Sequence, residues 1–281
     1  MIENTVSFES ISKAAKRLEG KIVKTPILKS AYIDKKLNTN LYLKAENLQT
    51  IGAFKFRGAM NTILQLPKSE NKVVAWSSGN HAQAVAAAAK ITGREATIIP
   101  PFDDVNVIIG QGTAGLECVE QLGEIGVVPD IVLCCCGGGG LIAGVSTAIK
   151  AKFENTDIYS VEPEFFDDTK KSLKEKKIVE NSMKHKSICD ALLANKPGDI
   201  TFSINKKNLT SGISVTDNEA LIAMHSAYKH FKIVLEPGGA VALAAALANK
   251  IDIENKHVLV IASGGNVDKN VFESCLKTIP I

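Results

Sequence analysis

The chain has 281 residues, with 45% hydrophobic and 22% charged residues and a formal net charge of +3. That length buries a substantial core and suits one large domain or two modest ones, and that balance is ordinary for a soluble globular protein. So small a charge, without a basic stripe interleaved with aromatics, excludes nucleic acid as the expected partner. In chain order, Ser12 to Leu18 reads as a helix, Asn40 to Lys44 as a strand and Phe54 to Leu66 as a helix. Lys72 to Trp76 reads as a short strand that enters the turn Ser77-Ser78-Gly79-Asn80, followed by an alanine-rich helix over Ala82 to Lys90. A strand over Ala96 to Ile99 precedes a helix over Ala114 to Leu122. A buried strand over Ile131 to Cys136 precedes a helix over Leu141 to Lys150. The pattern ends with a strand at Ile158 to Val161, helices at Asp217 to Lys229 and Ala240 to Asn249, and a strand at Val258 to Ala262.

Strands alternating with helices predict an α/β architecture around a largely parallel sheet. In such sheets ligands collect at the carboxyl ends of strands. The uncharged run Ile131 to Ile149 has the length of a membrane span. Four successive glycines inside it make strand, turn and helix the better reading. The six cysteines, Cys118, Cys134, Cys135, Cys136, Cys189 and Cys275, fit neither a zinc pattern nor a disulfide framework. A reduced, cytoplasmic compartment is expected. The first ten residues carry acids and lack an apolar core, so no signal peptide is expected there.

Five segments carry chemistry. Gly137-Gly138-Gly139-Gly140 joins a strand to a helix, so its backbone can approach an anion at a helix N-terminus; a tight structural turn is the alternative. Ser77 to His81 is a second strand-to-helix turn, able to grip a carboxylate or simply to cap a helix. Lys55 stands between Phe54 and Phe56, where an apolar setting lowers the amine pKa and favours imine chemistry; a snorkelling surface lysine is the plain alternative. Arg57, one of only three arginines with Arg17 and Arg94, lies in the same segment. Ser263-Gly264-Gly265-Asn266 and Glu236-Pro237-Gly238-Gly239 are weak signals alone.

Taken in order, the stretches KAENLQTIGAFKFRGA, SSGNHAQA, PPFDDVNVIIGQGTAGLE, GGGGLIAG, VEPEFFDD, EPGGAVALAA and SGGNVD resemble the serine/threonine dehydratase and serine racemase family, fold type II of the pyridoxal-phosphate (PLP) enzymes. The resemblance implies a tryptophan synthase β-like fold: a three-layer α/β domain over 1–71 and 104–281, and a smaller, apparently truncated α/β domain over 72–103. It implies PLP carried by Lys55 as a Schiff base. Phe54 would pack on the ring, Asn80 would bond the ring hydroxyl, and Gly137 to Gly140 with Leu141 would hold the phosphate. Ser263 would contact the pyridine nitrogen, with Glu236 and Gly264 on the same cofactor side. Ser77, Asn80 and His81 would cradle the substrate carboxylate. Ser78 matches a second catalytic base in serine racemases. Glu162, the Phe166 carbonyl and Asp168 match a divalent-cation site for Mg2+, Ca2+ or Mn2+, with a solvated acidic loop as the alternative. The implied reaction is deamination of L-threonine or L-serine to a 2-oxo acid and ammonia. Serine racemisation, 3-hydroxyaspartate dehydration and a catalytically silent binding protein stand as alternatives. A homodimer, a small amino-acid substrate and no membrane or nucleic-acid partner complete the expectation. The chain departs from the family between Ile98 and Pro101. There the family has a helix and two strands of the smaller domain, and this sequence runs from REATII straight into PPFDD.

Overall fold

The computed structural model describes residues 5–67, 72–75, 79–182 and 184–281. Ser77 and Ser78 lie outside the described residues, as does Trp76, the last residue of the predicted Lys72 strand.

Two sheets organise the chain. The larger has six strands: β1 (Ile27–Leu28), β2 (Asn40–Ala45), and, further along, Ile131–Cys135, Asp157–Pro163, Ser211–Val215 and His257–Ala262. The smaller pairs β3 (Lys72–Ala75) with β4 (Glu95–Ile99) in parallel. With the four later strands numbered β5 to β8 in chain order, the large sheet runs β1-β2-β8-β5-β6-β7. Every pairing in it is parallel except that of β1 with β2. The central strands read as continuous apolar runs because helices cover the sheet; all five residues of β5 are buried.

The helices fill the connections. α1 (Phe8–Leu18), α2 (Ala31–Leu37) and α3 (Lys55–Ile63) precede β3, and α4 (Asn80–Thr92) joins β3 to β4. α5 (Val105–Glu124) leads to β5, α6 (Gly140–Lys150) to β6, and α7 (Asp168–Glu175) and α8 (Asp199–Asn208) to β7. α9 (Asp217–Ser226) and α10 (Pro237–Leu247) lead to β8, and α11 (Lys269–Cys275) closes the chain. Side-chain caps explain several starts: Ser7 forms a capping box with Ser10, Thr216 forms one with Glu219, and Asp104 accepts from the amides of Asn106 and Val107.

Chain order places the site. From β5 the chain moves through α6 to β6 on one side; the return from β7 through α10 inserts β8 on the other side of β5. Parallel crossovers are right-handed, so α6 and α10 cover opposite faces. The order reverses between β5 and β8, and a ligand crevice opens outside the carboxyl ends of strands at such a switch point. The glycine loop leaves β5 there, and Ser263 leaves β8.

Two expectations are revised. The helix over Ala114 to Leu122 begins nine residues earlier, at Val105. Its glycines disguised it: they permit close approach to α3 and α6, and a Cβ on Gly110 would stand 2.6 Å from the Gly58 Cα. The last turn of the predicted Asp217 helix widens into a π-helical turn over Ala227–Phe231. Among the described residues no helix is long and apolar enough to cross a membrane.

Candidate active site

A cavity of about 480 Å³ sits at the switch point, lined by Phe54, Lys55, Asn80, His81, Gly137 to Leu141, Glu236 and Ser263. Among the described residues predicted to bind cofactor or substrate, only Gly264, whose Cβ position abuts Glu236, is outside that lining; Ser77 and Ser78 lie outside the described residues.

Backbone pairing fixes Lys55. The Phe54 amide donates to the Ser263 carbonyl at 3.0 Å, and Ala53 bridges to Gly264, so the start of α3 is tied to the end of β8. Lys55 Nζ donates to the Pro101 carbonyl at 2.8 Å and lies 5.3 Å from the Phe54 ring centroid. Loss of hydration lowers its pKa to about 8, with the Cys135 and Glu236 sides acting against the shift. An amine so placed is neutral in a usable fraction near neutral pH, as a nucleophile must be.

Opposite lies the glycine loop. Gly139 takes φ +92°, which favours glycine, and α6 starts there without a side-chain cap. A Cβ on Gly138 would overlap the Phe102 ring, so only glycine fits beneath that ring. The first-turn amides of α6 make this an anion cradle.

The third wall is polar. Asn80 Nδ2 donates to Glu236 Oε1 at 2.7 Å, and Asn80 Oδ1 accepts from Asn266 Nδ2 at 2.7 Å. Glu236 is buried, and desolvation raises its carboxyl to about 7. A Cβ on Gly264 would collide with Glu236 Oε1, which accounts for that glycine. His81 is buried and its Nε2 donates to the Ile99 carbonyl at 2.8 Å. Burial, then the Lys55 charge, push its pKa down to about 4, so the ring is neutral and its Nδ1 is an acceptor without a partner among the described residues. In this tautomer the ring offers a carboxylate no N–H, and its part in a carboxylate cradle reduces to shape.

The acidic loop is not solvated. Glu162 and Asp168 are fully buried. Both Glu162 oxygens accept amides of α7, from Thr169 and Lys170 at 2.8 Å each. Asp168 Oδ1 accepts from Asn181 at 2.5 Å, and Oδ2 has no partner among the described residues. Desolvation is the main cause that raises both carboxyls, Glu162 strongly, with Asp168 next, and Asp168 to about 7. The described residues contain no group of three His, Cys, Asp or Glu side chains arranged for a metal. All six cysteines are free and buried.

Sequence reasoning missed Pro101, Phe102 and Asp190 to Leu193, which also line the cavity. Phe102 was within reach, since PPFDD is one of the matching stretches; Asp190 to Leu193 offers no glycine turn or titratable cluster that would single it out.

Comparison with known proteins points the same way. A family model described as pyridoxal-phosphate dependent enzyme matches residues 18–99 and 92–264. Serine racemase of Schizosaccharomyces pombe is 34% identical over 95% of this chain and 97% of its own length. L-threo-3-hydroxyaspartate ammonia-lyase of Saccharomyces cerevisiae is 33% identical over 96% of each. The crystal structure of a threonine deaminase from T.th. superposes with a TM-score of 0.90 at 39% identity, covering 93% of this chain and 98% of that one. The residues fit the cofactor: an amine faces an anion cradle across one cavity, with a hydroxyl at Ser263 and an amide at Asn80 along its walls. On fold, site and relatives together, this chain belongs to the pyridoxal-phosphate-dependent enzymes, in the fold-type II family of the serine racemases and threonine ammonia-lyases.

Proposed function

We propose that the chain is an ammonia-lyase that eliminates water from L-threonine or L-serine, releasing a 2-oxo acid and ammonia. The observation that carries this reading is the Lys55 amine, with its lowered pKa, across one cavity from the glycine loop 137–141. Lys55 would hold the cofactor covalently, and its amine, when free, would take the substrate α-proton. Phe54 would pack against the cofactor ring, and Gly137 to Gly140 with the Leu141 amide would hold its phosphate. When bound, the cofactor supplies a conjugated ring that accepts the electrons left by the α-proton. Ser263, on the cavity wall, would meet the ring nitrogen with a hydroxyl, which would not force that nitrogen to stay protonated; this would suit elimination over longer-lived carbanion chemistry. One Asn80 amide hydrogen bonds Glu236, and the other would serve the ring hydroxyl. Ser77 and the Asn80 backbone N–H would receive the substrate carboxylate, with His81 shaping that end.

The test is product analysis with L-threonine, L-serine and threo-3-hydroxyaspartate in the presence of PLP. Release of 2-oxo acid from the first two supports the reading; none from any substrate by a PLP-loaded chain refutes it.

A second reading is serine racemisation or hydroxyaspartate dehydration, as the names of two relatives indicate for those proteins. It is favoured by the buried Glu162–Asp168 pair, whose spare Asp168 oxygen, with the Phe166 carbonyl, would serve a divalent cation. Ser78 would be the opposing base. We also infer that the segment between β4 and Pro101 is absent from this protein. The family match falls in two pieces that meet at residues 92–99, and the S. pombe alignment spans 318 residues although this chain supplies 95% of its 281. An intact mass tests this, and a mass above that of the sequence refutes it. A homodimer in the cytoplasm completes the proposal, with sedimentation as the check on assembly.

A further inference from the structure

We infer that Thr201 and Asn205, on α8, are positioning residues that aim the glycine loop at the cofactor phosphate, and that Asp103 holds α8 in place for that task. The inference rests on the phosphate lying at residues 137–141.

The loop lies between the cavity and α8. Its residues line the cavity, while Thr201 and Asn205 are fully buried behind it. Thr201 Oγ1 lies 2.7 Å from the Gly138 carbonyl and 3.1 Å from the Gly198 carbonyl, so its single proton goes mainly to Gly138. The Gly198 amide donates to the same Gly138 oxygen at 3.3 Å. Asn205 Nδ2 donates to the Gly139 carbonyl at 3.4 Å. In a planar trans peptide the C=O of one residue and the N–H of the next point in opposite directions. Anchoring the Gly138 and Gly139 oxygens toward α8 therefore turns the Gly139 and Gly140 N–H groups away from it, to the side the cavity occupies. The loop has no side chains with which to hold itself, and at Gly139 a Cβ would already stand 2.8 Å from Asn205 Nδ2. Part of its orientation comes from α6, whose Ala143 amide donates to the Gly139 carbonyl at 3.0 Å; the Gly138 carbonyl is held from the α8 side, by Thr201 Oγ1 and the Gly198 amide.

The helix is itself secured. Asp103 accepts from the amides of Asp199, Ile200 and Thr201 at 3.1, 3.0 and 3.2 Å, serving as an N-terminal cap supplied from far away in sequence. Asp103 directly follows Phe102, whose ring covers Gly138. The phosphate cradle is thus held in front by one residue of the Pro101–Asp104 segment and from behind, through α8, by the next.

The test separates aiming from general support. PLP and pyridoxal share the aldehyde and ring, and only PLP has the phosphate. Dissociation constants for both are measured by absorbance titration for the wild-type chain, Thr201→Val and Thr201→Ser. One hydrogen bond's worth of aim predicts PLP binding weakened about fivefold to tenfold in Thr201→Val, with pyridoxal changed by less than about twofold and Thr201→Ser restoring the wild-type ratio. Equal losses for PLP and pyridoxal, or no loss for either, overturn the inference. Asp103→Asn, a milder change, carries the same expectation should Thr201→Val not fold. A wild-type chain that takes up neither compound removes the cofactor reading itself, whereas PLP bound with an unmoved PLP-to-pyridoxal ratio leaves that reading standing and removes only this one.

Discussion

Arg57 is fully buried and bonds two carboxylates. Its Nε and Nη2 donate to Glu46 at 2.7 Å each, and its Nη1 and Nη2 to Glu117 at 2.7 and 2.9 Å. Lys44, also fully buried, donates to Glu117 at 2.6 Å, so two cations face two anions. Replacing Arg57 with Met keeps volume but leaves Glu46 without its main partner inside the protein. Breaking a buried pair in this way costs about 3–5 kcal/mol, because the orphaned charge has lost its hydration as well as its partner. In a chain of this size that lowers the melting temperature by roughly 10 °C. Arg57→Lys keeps the charge and loses the two forks, so its cost falls between wild type and Met. The assay is urea unfolding at pH 7.5. A loss under about 1 kcal/mol for Arg57→Met would refute the view that this network is a coupled unit. The acid response gives a second check. Although burial raises it, Arg57 is the chief cause that brings the Glu46 carboxyl below its ordinary value, so its stabilisation is present above the unfolded value and is lost as pH falls through the folded one. Wild type should therefore lose more stability than Arg57→Met between neutral pH and acid. The network matters to the site because Arg57 lies two residues past Lys55 and clamps the first turn of α3 against α5 and the end of β2.

Three other outcomes are expected. With the Lys55 pKa lowered to about 8, the rate at which PLP forms a borohydride-trapped adduct should rise from pH 7 to 9 and level off above; Lys55→Ala should form none, and a flat profile would contradict the lowered pKa. Gly138→Ala must push a Cβ into the Phe102 ring, an overpacking worth about 1–3 kcal/mol, so PLP should bind about tenfold or more weakly; unchanged binding would place Phe102 elsewhere. Asp168, raised to about 7, and Glu162, raised well above its ordinary value, stabilise the fold fully only below their unfolded values and lose that contribution as pH rises through their folded ones. Millimolar Mg2+ or Ca2+ at this pair should therefore raise the melting temperature more at pH 8 than at pH 6, and an equal or absent gain at both would argue against a cation there.

Much of the site was legible because its signals are local. Four glycines between an apolar strand and a helix, and a lysine between two phenylalanines, state their chemistry within a few residues. The parts that were not legible act at a distance. Nothing near DITFSINKKN marks it as the back wall of the glycine loop, and its helix carries no local cap; the cap is Asp103, almost a hundred residues earlier. The same holds for α7, whose polar sequence DTKKSLKE hides a buried face at Asp168, Thr169 and Ser172. Hydrophobic periodicity detects helices that bury apolar stripes, and these helices bury polar contacts instead.

The departure near Ile98 also has a physical reading in this geometry. One residue, Pro100, separates the end of β4 from the Pro101 carbonyl that holds Lys55. Phe102 then covers Gly138, Asp103 caps α8, and Asp104 caps α5. Four consecutive residues thus hold four different elements around the cavity, and all four lie after Pro100. What lies before it is the two-stranded sheet β3–β4, and two strands alone are marginal in water without a packed face. Ile99 provides part of that packing, buried with Phe56, Met60 and Val85 between α3 and α4. The small sheet is thereby tied to the same helix that carries Lys55. A chain without the relatives' additional residues would keep these four contacts, since each is made by a residue of the segment 101–104.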